Sequence, residues 1–195
     1  MTAEMYLPRF LVGHRSRKGY IADDTVDRIK QAFGFRTIEL YNVRDRSGHF
    51  YVSPQRGQFR TTFLAHYDLL PADGQQSFAL VIYLTPNAPR DTGTGLYRHR
   101  ATGLWRWPTS ADARALGTSR RALGKRLEGE AKDRRLWEEI GRTDNVFNRA
   151  VLFPADWIHS SQRDFGGSLE TAKLYQAFFF YATPDPFTAC YGWRA

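Results

Sequence analysis

Phe78-Ala79-Leu80-Val81-Ile82-Tyr83-Leu84 is apolar at every position. A run this short and this uniformly apolar reads as a β-strand covered on both faces, at the centre of a sheet. Similar but less uniform runs lie on either side of it. Strands are expected at 37–42, 59–65, 77–85, 96–102, 149–153 and 173–182. Turn-rich text separates them: PQRG (54–57), PADG (71–74), TPNAPRDTG (85–93) and RDFGG (163–167). Many short strands at this spacing point to a mainly β domain of sandwich or jelly-roll type.

Two regions break the pattern. Residues 22–34 read as a helix capped by Asp23 or Asp24, with Val26, Ile29 and Phe33 on one face and Gly34 as its stop. Residues 110–141 are polar and charged, and read as two short helices broken near Gly117, Gly124 or Gly129. Nine basic and six acidic residues fall within 111–142, as expected of a solvated helical insert or lid. No repeat or low-complexity linker divides the 195 residues, so one domain over 1–195 is expected.

Apolar residues are 42% of the chain and aromatics 15%, enough for a core without cross-links. The single cysteine, Cys190, excludes an internal disulfide and any cysteine-based metal cluster. The N-terminus MTAEMYLPRF does not read as a signal peptide, and no apolar run reaches the ~18 residues of a membrane span. A cytoplasmic protein without membrane contact is expected. The formal net charge of +8 and a pI of about 9.8 favour an anionic partner. Five of the 28 basic residues are Lys and the remainder Arg.

Of the five histidines, His14 and His49 lie in basic or turn-rich text and read as surface or loop residues. His66 stands in Phe63-Leu64-Ala65-His66-Tyr67-Asp68. In an extended segment positions i and i+2 share a side, so His66 and Asp68 can chelate one ion. Equally, His66 can cap a turn with Asp68. One more imidazole would complete two histidines and a carboxylate, the set that binds ferrous iron with open positions. His159 closes the run Asn148-Arg149-Ala150-Val151-Leu152-Phe153-Pro154-Ala155-Asp156-Trp157-Ile158-His159 and can supply it. Lys173 heads the apolar run Lys173-Leu174-Tyr175-Gln176-Ala177-Phe178-Phe179-Phe180. There it either needs a buried anionic partner or snorkels to water from a strand edge.

Taken in order, His66-x-Asp68, Tyr83-Leu84-Thr85-Pro86, Gly93-Thr94-Gly95-Leu96-Tyr97, the long insert, His159 and Lys173 resemble the Fe(II)/2-oxoglutarate-dependent oxygenases, especially their prolyl-hydroxylase-like branch. More narrowly, Gly95-Leu96-Tyr97-Arg98-His99-Arg100-Ala101-Thr102-Gly103 together with residues 148–153 looks like an uncharacterised bacterial family of such oxygenase-like proteins. The resemblance covers residues 59–181. It implies a double-stranded β-helix (jelly-roll) core with the N-terminal helix packed outside. It implies that His66, Asp68 and His159 are the catalytic iron ligands. Lys173 would pair with the distal carboxylate of 2-oxoglutarate, in a slot more often held by Arg, and Tyr83 or Tyr175 would hydrogen-bond the same group. With O2 as the other cosubstrate, the implied activity is a dioxygenase that hydroxylates a small molecule, amino acid or peptide, as in natural-product biosynthesis. The ninety residues between Asp68 and His159 are a long spacing, which the insert accounts for.

His99 is a competing ligand, in the His-x-Ala context Arg98-His99-Arg100-Ala101, but it follows the Tyr-Leu-Thr-Pro strand where a first ligand should precede it. Arg98, His99 and Arg100 are therefore read as substrate-contacting or structural, with the two arginines on one side. Two rival functions remain open. One is a non-catalytic module that binds a peptide or small molecule on the same fold. The other is a nucleic-acid binder or nucleic-acid-modifying enzyme, drawn from the basic pI and from Tyr97-Arg98-His99-Arg100 with Trp105-Arg106-Trp107.

Overall fold

The structure is a computed structural model, and it describes residues 5–6 (backbone), 14–41, 47–54, 63–71 and 75–184. Among them the chain is mainly β. The elements are β1 (Met5–Tyr6), β2 (His14–Ser16), α1 (Thr25–Phe33), β3 (Phe35–Leu40), β4 (His49–Ser53), β5 (Gln76–Tyr83), β6 (Thr94–His99), α2 (Ser110–Ala115), α3 (Arg120–Glu130), β7 (Trp137–Thr143), β8 (Ala150–Pro154), β9 (His159–Ser161) and β10 (Lys173–Pro184).

The strands form two antiparallel sheets. The larger runs β1-β2-β4-β10-β5-β8, with β3 also on β10, and the smaller runs β7-β6-β9. The 12-residue β10 organises the larger sheet. One edge of β10 takes β4 along its first half and β3 along its second, and the other edge takes β5. The apolar run at 78–84 is indeed central, lying between β10 and β8. Phe78 and Leu80 face α1 in a cluster with Ile29, Phe35, Phe178 and Phe180. Ala79 faces the other way, with Leu69, Phe153 and Ala155. That second face meets the smaller sheet through Tyr83 to Thr94 and Thr143, Lys173 to Ser161, and Phe153 against His159.

Several local expectations change. Helix α1 ends at a left-handed Gly34 as read, but Asp24 at its N-cap makes no side-chain cap; its carboxylate accepts from Arg28 Nε at 2.6 Å instead. In the insert the break falls at Gly117, which takes φ +63°, whereas Gly124 and Gly129 lie inside α3. Gly124 is there because Trp107 lies against it: a Cβ would meet the indole at 2.9 Å. The α-helical character ends at Glu130, a 3-10 turn follows at Arg134–Leu136, and 137–143 is the edge strand β7, whose outward charges hid its strand character. Residues 63–65 form no regular strand, and 59–62 lie outside the described residues. Cys190 and parts of the PQRG and PADG turns also lie outside them. His49 is not a loop residue: it is fully buried in β4, and its Nδ1–H donates to the Ser16 carbonyl at 2.8 Å. His14 lies in β2. No helix among the described residues is long and apolar enough to cross a membrane.

Candidate metal centre

Two reciprocal backbone bonds set the site. His66 N–H donates to the His159 carbonyl (3.0 Å), and His159 N–H donates to the His66 carbonyl (2.9 Å). This pairs the two residues across an isolated antiparallel bridge, so their side chains leave on the same face. Asp68 is fixed two residues on by its own N–H, which donates to the Ala155 carbonyl (2.8 Å). The layer behind is apolar. Ala65 and Ile158, each next to one of the histidines, pack with Leu104, Leu123, Leu127 and Trp137. Helix α3 thus supports the ligand-bearing segments from behind, and the residue that follows it adds a tie, Ala65 N–H to the Ala131 carbonyl (2.9 Å).

The donor atoms converge. One nitrogen of His66, one of His159 and one oxygen of Asp68 lie within 4.8 Å of one another. Asp68 Oδ2 is 3.1 Å from His159 Nε2, and Asp68 Oδ1 is 3.8 Å from His66 Nε2. Each Nδ1–H is committed to a backbone carbonyl, His66 to Leu64 (2.7 Å) and His159 to Trp157 (2.9 Å). That bond fixes each Nδ1 as a donor and leaves both Nε2 atoms on the Asp68 side, where a metal can replace the proton that His159 shares with Asp68. Burial, and then the neighbouring His159, push the His66 imidazole below its ordinary value. Burial also opposes charge on His159, but Asp68 outweighs it and holds that imidazole above. The side chain of His66 is 36% exposed against 7% for His159, so the centre opens to solvent on the His66 side. The residues present fit a divalent ion bound by two imidazoles and a carboxylate, with coordination positions left open.

One strand repeat from His159, on the same face of β9, is Ser161, about 6.8 Å further along by strand geometry. Its Oγ accepts from Lys173 Nζ at 2.6 Å. Lys173 does not snorkel: it is 2% exposed, and its other bond goes to the Gly93 carbonyl (3.3 Å). Burial lowers its ammonium to about 8, with Asp164 acting in the opposite sense. Tyr175, two residues on, stacks on Tyr51 with ring centroids 5.1 Å apart. Burial, then the charges of Tyr51, Asp164 and Asp68, raise its phenol well above the ordinary range. Lys173 and Tyr175 therefore lie together, the ammonium 5.8 Å from the Tyr175 ring centroid, within electrostatic reach of Asp68. The Tyr83 hydroxyl is instead held between Thr94 Oγ1 (2.7 Å) and Thr143 Oγ1 (3.1 Å), whereas that of Tyr175 is hydrogen-bonded to Ser53.

The remaining predicted contacts fall elsewhere. His99 is fully buried and spends both ring nitrogens inside the protein, on Glu130 Oε2 (2.5 Å) and Thr102 Oγ1 (2.9 Å). It ties β6 to α3 and offers nothing to a substrate in this arrangement. Arg98 and Arg100 are exposed on the opposite side of that strand, and Arg98 pairs with Glu138 (2.8 Å). Arg106, from the Trp105-Arg106-Trp107 segment, is engaged by Asp112 (2.8 Å). An open groove of about 650 Å3 between α1 and the outer face of the larger sheet, lined by Tyr20, Ile29, Phe50, Leu80 and Phe178, shares no residue with the donor cluster.

Sequence reading missed Ser161 and Asp164. Ser161 was findable, being i+2 from His159 in a segment that turned out extended. Asp164 carries no local signal.

The sequence model of a family described as a family of unknown function, DUF6445, matches residues 22–171. The chain belongs to DUF6445. The DUF6445 match begins just before α1, contains His66, Asp68 and His159, and ends two residues short of Lys173. No curated protein and no solved structure matches the chain.

Proposed function

We propose that this DUF6445 protein is an Fe(II)- and 2-oxoglutarate-dependent oxygenase built on a double-stranded β-helix, hydroxylating a small molecule, amino acid or peptide. The observation that carries the reading is the donor set itself. Two imidazoles have their Nδ1 atoms tied off and their Nε2 atoms turned toward one carboxylate, open to solvent on one side. A buried ammonium stands one strand repeat away, where a dicarboxylate chelating at the cluster would place its far end. The facing antiparallel sheets are the layout that a double-stranded β-helix uses. A reducing cytoplasmic setting fits an iron held as Fe(II).

Under this reading His66, Asp68 and His159 hold the ion. When bound, iron with 2-oxoglutarate and O2 supplies the oxidation, coupled to conversion of 2-oxoglutarate to succinate. The protein's own groups do the positioning. Lys173 and Ser161 take the far carboxylate, with Tyr175 as the nearest phenol. Phe153, against the His159 ring at 4.7 Å, keeps water from that side. The exposed side of His66 is the substrate entry.

The test is metal content and uncoupled turnover. Anaerobically reconstituted protein should hold one iron per chain and convert 2-oxoglutarate slowly to succinate once O2 is admitted. Asp68→Asn should abolish the succinate while leaving the far-ultraviolet circular dichroism unchanged. Wild-type succinate formation in that variant refutes the assignment, and folded protein that binds no iron favours a non-catalytic binding module.

A further inference from the structure

Near Lys173 and Ser161 lies a buried group that a simple anion site would exclude. Asp164 follows β9 and is 3% exposed, and its Oδ1 is buried without a hydrogen-bond partner. Its charge and that of Lys173 act on each other, yet no ion pair joins the two. Lys173 has three N–H donors and uses them on two neutral acceptors, Ser161 Oγ and the Gly93 carbonyl. A buried carboxylate with an unpartnered oxygen and a buried ammonium with one N–H to spare thus lie within electrostatic reach of each other.

Close backbone contacts fix the segments that carry both groups. Gly166 takes φ +79°, folding the loop so closely on the start of β10 that a Cβ there would run into the Thr171 carbonyl. Gly93 is pressed against the Thr143 carbonyl in the same way, which fixes its own carbonyl on Lys173. Arg163, next to Asp164, is turned outward and engaged by Asp91 (2.9 Å), so it does not neutralise Asp164. The titratable groups in reach of Asp164 are Lys173 and Tyr175, both from β10. Beyond Tyr175 lie Tyr51 of β4 and Asp68. Lys173 is the one cation among them.

A ligand carboxylate entering here would place two carboxylates against one ammonium in a dry site. Like charges that close cannot both stay ionised, and one proton relieves them. We infer that the Lys173–Asp164 slot binds a carboxylate together with a proton, Asp164 becoming the acid that donates from its carboxyl to the ligand's carboxylate while Lys173 and Ser161 hold the other side. That bond would also satisfy the orphaned Oδ1. The inference rests on the cosubstrate reading above and adds the proton and the residue that carries it.

Asp164 already stands at about 6, raised by burial against the pull of Lys173. At pH 6.5 it is therefore about one-quarter protonated before binding, and Lys173, at about 8, is almost fully charged. Binding should then take up about three-quarters of a proton from solution.

The experiment is calorimetric titration of 2-oxoglutarate into the Mn(II)-loaded full chain at pH 6.5, in two buffers of different ionisation enthalpy. The difference in heat gives protons taken up per ligand. Wild type should take up about three-quarters of a proton, and Asp164→Asn close to none. Both proteins carry the same metal cluster, so their difference isolates Asp164. Zero uptake by wild type overturns the inference without any variant. Equal uptake by both proteins overturns it as well, since the proton then goes elsewhere. In either case the cosubstrate reading survives, because 2-oxoglutarate has bound. No binding by metal-loaded wild type overturns both.

Discussion

Tyr83→Phe separates a structural tie from a cosubstrate contact. Tyr83 is 1% exposed, and its hydroxyl joins β5 of the larger sheet to β6 and β7 of the smaller, through Thr94 at 2.7 Å and Thr143 at 3.1 Å. Phenylalanine keeps the ring and its packing, so the loss is the hydroxyl alone. Each lost bond is worth about 1 kcal/mol, and the threonine hydroxyls left behind add some desolvation cost, so the variant should lose about 1–3 kcal/mol. For a chain of this length that lowers the thermal midpoint by about 2–4 °C per kcal/mol, or roughly 2–12 °C. The assay is chemical denaturation followed by circular dichroism, with 2-oxoglutarate affinity of the metal-loaded protein measured alongside. The expected result is lower stability with unchanged affinity. Unchanged stability with 2-oxoglutarate binding weakened tenfold or more would refute the reasoning, placing the hydroxyl on the ligand and not between the sheets.

Further outcomes follow from the same contacts. Leu127→Ala should cost about 2–5 kcal/mol, because Leu127 is 3% exposed in the cluster behind Ala65 and Ile158, and metal affinity should fall with it; denaturation and metal titration read the two effects, and full metal affinity would show that α3 does not support the ligands. Asp112 is raised by burial but brought down to about 2 by Arg106 and Thr109. Its folded-state value lies below its unfolded one, so its contribution is present above about pH 4 and is lost as the pH falls toward 2. Asp112→Asn should therefore be less stable at pH 6 yet lose less stability between pH 4 and 2, and identical acid profiles would remove that pair from the account. His99→Gln should destabilise the protein by breaking the β6–α3 tie to Glu130 without reducing metal stoichiometry; loss of metal from folded protein would return His99 to the ligand set.

The fold and the metal centre were legible to different depths. The run at 78–84 announced a covered central strand because both faces are apolar, and β5 is that strand. Strand β7 stayed hidden because an edge strand needs one covered side, and its Trp-Glu-Glu-Ile-Gly-Arg-Thr sequence spends the other side on charge. His66, Asp68 and His159 could be named from period-two spacing and chain order, and they converge. What no local pattern carries is which group faces which across the sheets. Tyr83 and Tyr175 are register partners of equal promise in sequence, but Thr94 and Thr143 engage the first and leave the second beside Lys173. Asp164 sits in a loop whose path depends on Gly166, a tertiary fact that the sequence around it does not state.

The most direct measurement needs no prime substrate. Fe(II) and then 2-oxoglutarate are added anaerobically to the folded protein, and the visible spectrum is recorded against His66→Ala. The account predicts a charge-transfer band from 2-oxoglutarate chelated at the iron, present in wild type and missing in the variant. A featureless spectrum from folded, iron-loaded wild type, or a band that persists in His66→Ala, would contradict it.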